Sequence, residues 1–364
     1  MDDLNTIKHW LTLYFLPSLG SKRLADFYHI ENNPLNILAN SQLFPAKAKH
    51  EYTSMLRDEQ HVSWQRIQDN LDWIDLAAEQ YILHINDECY PKLLKQIDDP
   101  PMLLWVKGDI SILNNTQIAV VGSRACTASG IQITQQICNQ LALEDILLIS
   151  GGALGIDTVA HQQALKNQKK TIAVLGTGVD GFYPKQNRAL FKNITQNGAL
   201  ISEFALNTAP SRFNFPKRNR IISALSTAVL VIEAHKKSGS LITARLALEQ
   251  NKEVMAVPGS PLSAAAQGCN ELIAQGAHLI QNAQDVLNVI SWRNQYPKPL
   301  DIQTAHLDLE PKQKIIFNLI NDVPQPIEIL AFISQLEFHQ VQQTLFELEL
   351  KGLVTREMGG FTQG

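Results

Sequence analysis

Seven short apolar runs between positions 118 and 280, most of them closed by turn residues, constrain this chain more than any other feature. They are Ile118-Ala119-Val120-Val121, Ile146-Leu147-Leu148-Ile149, Thr171-Ile172-Ala173-Val174-Leu175, Ala199-Leu200-Ile201, Val229-Leu230-Val231-Ile232, Val254-Met255-Ala256-Val257 and Ala277-His278-Leu279-Ile280. Helical stripes follow the first two: Ile133, Ile137 and Leu141, then Ile156, Val159, Ala160 and Ala164. Strands that alternate with helices predict a parallel sheet built from right-handed crossovers. Runs without polar alternation predict strands buried on both faces.

The flanks read differently. Residues 1–78 are predicted to form a helical domain, with Ile7, Trp10, Leu11, Tyr14 and Phe15 as an amphipathic stripe. The turn Leu16-Pro17-Ser18-Leu19-Gly20-Ser21 could be part of a phosphate-clamping helical hairpin or simply join two helices. Residues 79–292 make the sheet domain. Within it 80–117 read as a connection, with Met102-Leu103-Leu104-Trp105-Val106 as a strand. Residues 293–310 form a linker stiffened by Tyr296-Pro297-Lys298-Pro299. Residues 311–364 suggest three short helices and a tight hairpin, the winged-helix pattern.

Charge is unevenly distributed. The whole chain of 364 residues carries -4, but residues 185–252 hold 11 Lys and Arg against 3 Asp and Glu, net +8. Residues 1–117 are net -6 and residues 299–364 net -5. Local potential decides where a polyanion lands. Cys89, Cys126, Cys138 and Cys269 show no CxxC pair and read as reduced thiols of a cytoplasmic protein. An acidic start, Met1-Asp2-Asp3, argues against a signal peptide. No apolar run reaches the roughly 18 residues of a membrane span, so no membrane partner is expected.

Ligands of an open parallel sheet bind beyond the carboxyl ends of its strands. Glycines in those turns expose amide N–H groups, and a helix start adds partial positive charge. Gly122, Gly151, Gly152, Gly155, Gly176, Gly178 and Gly239 fall in such turns and point to a phosphate-bearing ligand. Gly176-Thr177-Gly178-Val179-Asp180-Gly181 fits the dinucleotide fingerprint, but Pro184 delays the helix that the fingerprint requires. There is no GxxxxGK[ST] loop. Asp157 and His161 share a helix face near Ser150; without a GxSxG elbow they read as a cap and a packed histidine. No metal-ligand spacing and no cofactor motif stands out. The basic segment interleaves cations with rings: Phe182-Tyr183-Pro184-Lys185-Gln186-Asn187-Arg188, Arg212-Phe213-Asn214-Phe215-Pro216-Lys217-Arg218-Asn219-Arg220, and Lys236-Lys237-Ser238-Gly239-Ser240. Single-stranded nucleic acid is held by that mixture.

At these residues the chain resembles the DprA family, also called Smf. The motifs carrying the likeness include Val120-Val121-Gly122-Ser123-Arg124 and Ser150-Gly151-Gly152-Ala153-Leu154-Gly155-Ile156-Asp157. Tyr183-Pro184-Lys185-Gln186-Asn187, Phe215-Pro216-Lys217-Arg218-Asn219-Arg220, Ser238-Gly239-Ser240-Leu241-Ile242-Thr243 and Val257-Pro258-Gly259 continue it. The resemblance implies an extended Rossmann-like α/β core, an N-terminal SAM-like domain and a C-terminal winged helix. It further implies a cytoplasmic homodimer with no catalytic residues and no cofactor. That protein would bind single-stranded DNA, protect it and load the recombinase RecA during natural transformation. The implied contacts are Gly122, Ser123, Arg124, Gly151, Gly152, Lys185, Asn187, Arg188, Phe215, Lys217, Arg218, Asn219, Arg220, Ser238, Gly239 and Ser240. Arg124 and Lys185 are the expected phosphate contacts. Ala125-Cys126-Thr127-Ala128-Ser129-Gly130 lacks the second cation and the aromatic that often follow the first turn in the family. The alternative is a Rossmann-like nucleotide-hydrolysing enzyme of the lysine-decarboxylase-like group. Its GGxGTxxE turn would fall at Ser238–Thr243, where the catalytic glutamate is missing.

Overall fold

A computed structural model describes residues 4–144, 146–295, 309–320, 326–334, 336–351, 353–357 and 360–363. Five helices come first: α1 (Leu4–Phe15), α2 (Ser21–Ile30), α3 (Pro34–Ala39), α4 (Ala46–Arg57) and α5 (Val62–Leu76). Two strands follow, β1 (Gln80–His84) and β2 (Leu103–Gly108). The alternating part runs β3 (Gln117–Val121), α6 (Ala128–Leu143), β4 (Leu147–Ser150), α7 (Ile156–Lys166), β5 (Thr171–Val174), α8 (Arg188–Gln196) and β6 (Gly198–Ser202). It continues through α9 (Asn214–Leu225), β7 (Ala228–Val231), α10 (Gly239–Glu249), β8 (Glu253–Ala256), α11 (Gln267–Ala274), β9 (His278–Leu279) and α12 (Ala283–Gln295).

Nine strands form one sheet in the order β1-β2-β6-β5-β4-β3-β7-β8-β9. From β6 to β9 every neighbour pair is parallel, as the alternating runs predict. The other end departs from that expectation. β2 lies antiparallel to β6, and β1 antiparallel to β2. Residues 80–84 therefore form an edge strand rather than a connection. Its three apolar residues, Tyr81-Ile82-Leu83, sit between polar Gln80 and His84, too short a run to signal a strand before α1 and α5 cover it.

Each central strand feeds two cores. Ala119 and Val121 face one side of the sheet with Ile149, Ile172, Val174 and Ile201; there they meet Ile221, Ile222 and Leu225 of α9. Ile118, Val120 and Leu148 face the other side and meet Ile137 and Leu141 of α6 and Ala160 of α7. Alternate residues thus point to opposite faces, both apolar, which is why the runs show no polar alternation.

The chain divides into two compact units, Met1–Tyr296 and Pro297–Gly364. The boundary expected near residue 78 separates no core. Trp10, Leu11 and Leu13 of α1 are buried in the same cluster as Leu103 and Trp105 of β2. The Trp105 indole N–H donates to Asn70 Oδ1 at 2.9 Å. The Tyr14 hydroxyl donates to the Glu203 carbonyl at 3.2 Å and accepts from the Ala205 N–H at 3.1 Å. Of the expected linker 293–310, α12 takes the first residues, and 296–308 lie outside the described residues. The second unit holds α13 (Pro311–Leu319), α14 (Ile327–Ser334) and α15 (Phe338–Leu350), then the antiparallel pair β10 (Val354–Glu357) and β11 (Gly360–Gln363). Ile316, Leu330, Leu345 and Leu348 form its core. This is the three-helix-plus-hairpin pattern expected of a winged helix. Among the described residues no helix is long and apolar enough to cross a membrane, and no cluster of His, Cys, Asp and Glu could hold a metal ion.

His161 illustrates how the sheet consumes polar groups. It is fully buried, and its ring bonds Thr171 Oγ1 at 2.8 Å. Thr171 in turn donates to the Leu148 carbonyl at 2.7 Å, so the imidazole must carry its proton on Nδ1. Burial, with Arg218 nearby, pulls its pKa down to about 3. An unfolded histidine titrates near 6.5. Between those values only the unfolded chain takes up the proton, so stability falls as pH drops through that window, by about 1.4 kcal/mol per unit. Urea unfolding at pH 7 and pH 5 is expected to show wild type losing about 2 kcal/mol more than His161→Gln. Equal losses in the two proteins would show that His161 does not set this dependence.

Candidate nucleic-acid interface

From β3 the chain steps outward to β4, β5 and β6 in one direction, while β7, β8 and β9 lie in the other. The connections after β3 and β7 therefore diverge, and a crevice opens between them. The structure has a cleft of about 740 Å³ there. Gly122, Ser123 and Arg124 line it after β3, Phe215 and Asn219 from the start of α9, and Lys237, Ser238, Gly239 and Ser240 after β7. Of the predicted turn glycines Gly122 and Gly239 line the cleft, where they meet Arg212, Arg218 and Lys237 of the basic segment; Gly151, Gly152, Gly155, Gly176 and Gly178 do not line it.

Local chemistry fixes the turns. The Ser150 hydroxyl donates to the Val120 carbonyl at 2.6 Å and ties the ends of β4 and β3 together. Gly155 has φ +81°, and a Cβ there would stand 2.2 Å from the Ser123 carbonyl oxygen. Only glycine lets the start of α7 press against the Ser123-Arg124 turn. The Ile156 N–H then donates to that same Ser123 carbonyl at 3.2 Å. Across the cleft floor, Asn219 Nδ2 reaches the Gly239 carbonyl at 3.4 Å and links α9 to α10. Ser238 caps α10, its hydroxyl accepting from the Ser240 N–H at 3.2 Å. α9 has no side-chain cap at its start. Both helices begin at the cleft and add their positive ends to it.

Arg124, Arg212 and Lys237 all line the cleft, all are exposed, and none has an ion-pair partner among the described residues. The Arg124 guanidinium lies 5.6 Å from the Phe215 ring centroid, and the Tyr183 ring lies 5.6 Å from that same centroid. Lys185 and Arg188 are exposed beyond Tyr183, with Arg188 5.7 Å from the Phe182 ring.

Other expected contacts are spent on holding the fold. Arg218 lines the cleft but is only 4% exposed; its Nη1 donates to the Gly151 carbonyl at 2.6 Å and to the Val174 carbonyl. Burial pulls its pKa down to about 10, against the opposing pull of Asp157. Burial likewise raises Asp157 above the ordinary carboxylate range, with Arg218 opposing. The Asp157 carboxylate accepts from the Gly151 and Ala153 N–H groups at 3.1 and 3.2 Å, so the Gly151 amide is not free for a ligand. Asn187 is buried and donates to the Gly152 carbonyl at 2.9 Å and to Thr158 Oγ1 at 2.8 Å. Lys217 and Arg220 turn away from the cleft. Both pair with Glu203 Oε2, at 3.3 and 2.6 Å, and Arg220 Nε also pairs with Asp99 at 3.2 Å. Glu203 and Lys217 face a separate cavity of about 370 Å³, shared with Arg66 and the turn Leu16–Gly20 that follows α1. The expected contacts omit Arg212, Lys237 and Tyr183. Their signal was the alternation of cations and rings, without the glycine motifs that marked the others.

A doubly wound sheet with a cation-lined crevice at its switch point and an appended winged helix defines a Rossmann-like binding protein for phosphate-bearing ligands. Comparison with known proteins takes this further. Residues 81–291 match the family model described as DNA recombination-mediator protein A, and residues 303–360 match the DprA winged helix domain. Protein Smf of Escherichia coli is 36% identical over 303 residues, which span 82% of this chain and 80% of that protein. The X-ray structure of DNA processing protein A from Streptococcus pneumoniae aligns with a TM-score of 0.69 at 36% identity. The alignment covers 78% of this chain and 97% of that one. DNA processing protein A of Helicobacter pylori, described for its single-stranded DNA binding mode, aligns with a TM-score of 0.54 at 33% identity. It covers 59% of this chain and 97% of that one. The chain belongs to the DprA/Smf family, as its motifs implied.

Proposed function

We propose that this chain binds single-stranded DNA in the cleft between the connections that follow β3 and β7, protects incoming strands and loads RecA onto them in natural transformation and homologous recombination. The observation that carries the reading is the convergence of unpaired Arg124, Arg212 and Lys237 on two helix starts. Cations and amides track phosphates, and neighbouring rings accept bases. Gly122, Ser123, Arg124, Phe215, Asn219, Ser238, Gly239 and Ser240 form the contact surface, and Lys185 and Arg188 extend the track. The single-strand binding of the Helicobacter pylori relative supports the same choice of ligand. The cleft has no catalytic role in this proposal: Asp157, its one lining carboxylate among the described residues, already accepts two N–H groups. A homodimer is supported by exposed Ile242 and Leu248 of α10, which line a second groove with Leu272 of α11. A cytoplasmic location accords with RecA as partner.

The test is a titration of a short oligonucleotide at several salt concentrations. Counterion release predicts a log-log slope near -0.7 per phosphate contact on single strands. Absence of binding, or a flat salt response, would overturn the reading.

The winged helix has a different task in this proposal. Its third helix, α15, carries no lysine or arginine and exposes Phe338, Phe346 and Leu350. With residues 299–364 at net -5, it suits a protein partner better than a DNA backbone. Deleting 299–364 is expected to leave single-strand affinity within a few fold; a larger loss, read in the same titration, would place DNA on the winged helix.

A further inference from the structure

Four aromatic side chains are interleaved with the cations of the basic segment, and the structure separates them. Phe182 stacks on Phe191, with ring centroids 6.2 Å apart and planes 17° apart, and belongs to the core beneath α8. Phe215 is half-buried; it seats against Gly176, where even a Cβ would stand 2.9 Å from its ring, and it carries Arg124 and Tyr183. The two remaining rings keep large free surfaces. Tyr183 is 44% exposed on the cleft wall, and Phe213 is 71% exposed beside cleft-lining Arg212.

Phe213 contributes to no apolar cluster among the described residues. Its backbone is nonetheless well fixed. The Asn214 N–H donates to the Ser211 carbonyl at 3.0 Å, and Asn214 Nδ2 donates to the Gly176 carbonyl at 3.1 Å. The Arg212 guanidinium stands 4.8 Å from the Phe213 ring centroid. A large ring held in water, with a cation beside it at the mouth of a cationic cleft, loses nothing in the fold if it is trimmed. It gains when a flat, electron-rich partner covers it.

We infer that Tyr183 and Phe213 are the two base-stacking platforms of this cleft. Each takes the face of an unpaired nucleobase, while Arg124 and Arg212 take the phosphates between. The inference rests on the single-strand reading above and adds to it which rings meet bases. Stacking on a ring face is indifferent to base identity, so these residues confer affinity for unpaired strands rather than for a sequence.

The experiment compares an oligothymidylate with an abasic strand of equal length, using wild type, Tyr183→Ala, Phe213→Ala and Phe213→Trp in the full chain. Each alanine variant is expected to lose about tenfold in affinity for the oligothymidylate and nothing for the abasic strand. The salt slope stays at the wild-type value, because no phosphate contact is lost. Phe213→Trp restores affinity, and its extra emission over the five native tryptophans is quenched by oligothymidylate but not by the abasic strand. Thermal melting of Phe213→Ala stays within about 2 °C of wild type, as for other surface substitutions. Unchanged affinity of the alanine variants for oligothymidylate overturns the inference, and so does an equal loss on both strands. Failure of wild type to bind either strand strikes instead at the single-strand reading.

Discussion

Replacing Arg218 with methionine is expected to destabilise the protein by about 3–6 kcal/mol, because two buried carbonyls each lose a hydrogen bond from a charged donor at about 1.5–3 kcal/mol apiece. The side chain is 4% exposed and donates to the carbonyls of Gly151 and Val174, at the ends of β4 and β5. Methionine fills similar volume but donates nothing. Two strand-end carbonyls lose a donor, and Asp157 loses the positive charge that opposes its desolvation. The Gly151 turn, whose N–H is already bound by Asp157, is the first segment expected to loosen. Urea denaturation is the measurement. A second substitution, Asp157→Asn, removes the orphaned charge and is expected to recover part of the loss, since both groups hold the Gly151 turn and members of one network couple by about 0.5–3 kcal/mol. A loss below about 1 kcal/mol for Arg218→Met would mean that water or a neighbour replaces the guanidinium freely.

The second large effect concerns binding. Arg124→Ala with Lys237→Ala removes cations from two loops that face each other across the cleft, one after β3 and one after β7. Hydrogen bonds to a charged group contribute about 1.5–3 kcal/mol each, so the double variant is expected to lose at least a hundredfold in single-strand affinity at low salt. Its log-log salt slope should become shallower by about 1.4, two contacts at 0.7 each. Neither residue is buried or paired among the described residues, so unfolding is expected to match wild type. Lys217→Ala is the informative contrast. Its Nζ pairs with Glu203 away from the cleft, so it should leave the salt slope unchanged. If Lys217→Ala flattened the slope and the double variant did not, the DNA path would run through the Glu203 cavity instead.

The sheet was legible because its strands are buried on both faces, which leaves an unmistakable pattern of Val, Ile and Leu. Glycine turns were legible for a similar reason: Gly155 sits where no Cβ fits. β1 was not, because its burial comes from α1 and α5 rather than from its own composition. The cationic residues could be counted but not sorted. Within Lys217-Arg218-Asn219-Arg220, successive side chains on α9 point to the buried Glu203 carboxylate, a buried carbonyl cluster, the cleft floor and again Glu203. What sorts them is Glu203, just past the end of β6, and Asp99, upstream of the sheet's parallel part; both meet α9 only in the folded protein. Arg212 and Lys237 were left for the ligand because no carboxylate among the described residues pairs with them, and one chain position cannot reveal that.

α9 joins two parts of the molecule that a reading by domains would keep apart. Its first turn walls the cleft, and its second pairs through Arg220 with Asp99 and with Glu203, whose carbonyl also holds the Tyr14 hydroxyl of α1. It works as a strut. The N-terminal helices cannot swing on a hinge near residue 78 without breaking the two Tyr14 hydrogen bonds to Glu203 and Ala205 and opening the core that Trp10 and Leu11 share with Trp105. A protein seated on those helices would therefore stand at a fixed distance and angle from any strand lying in the cleft, with no slack to be taken up.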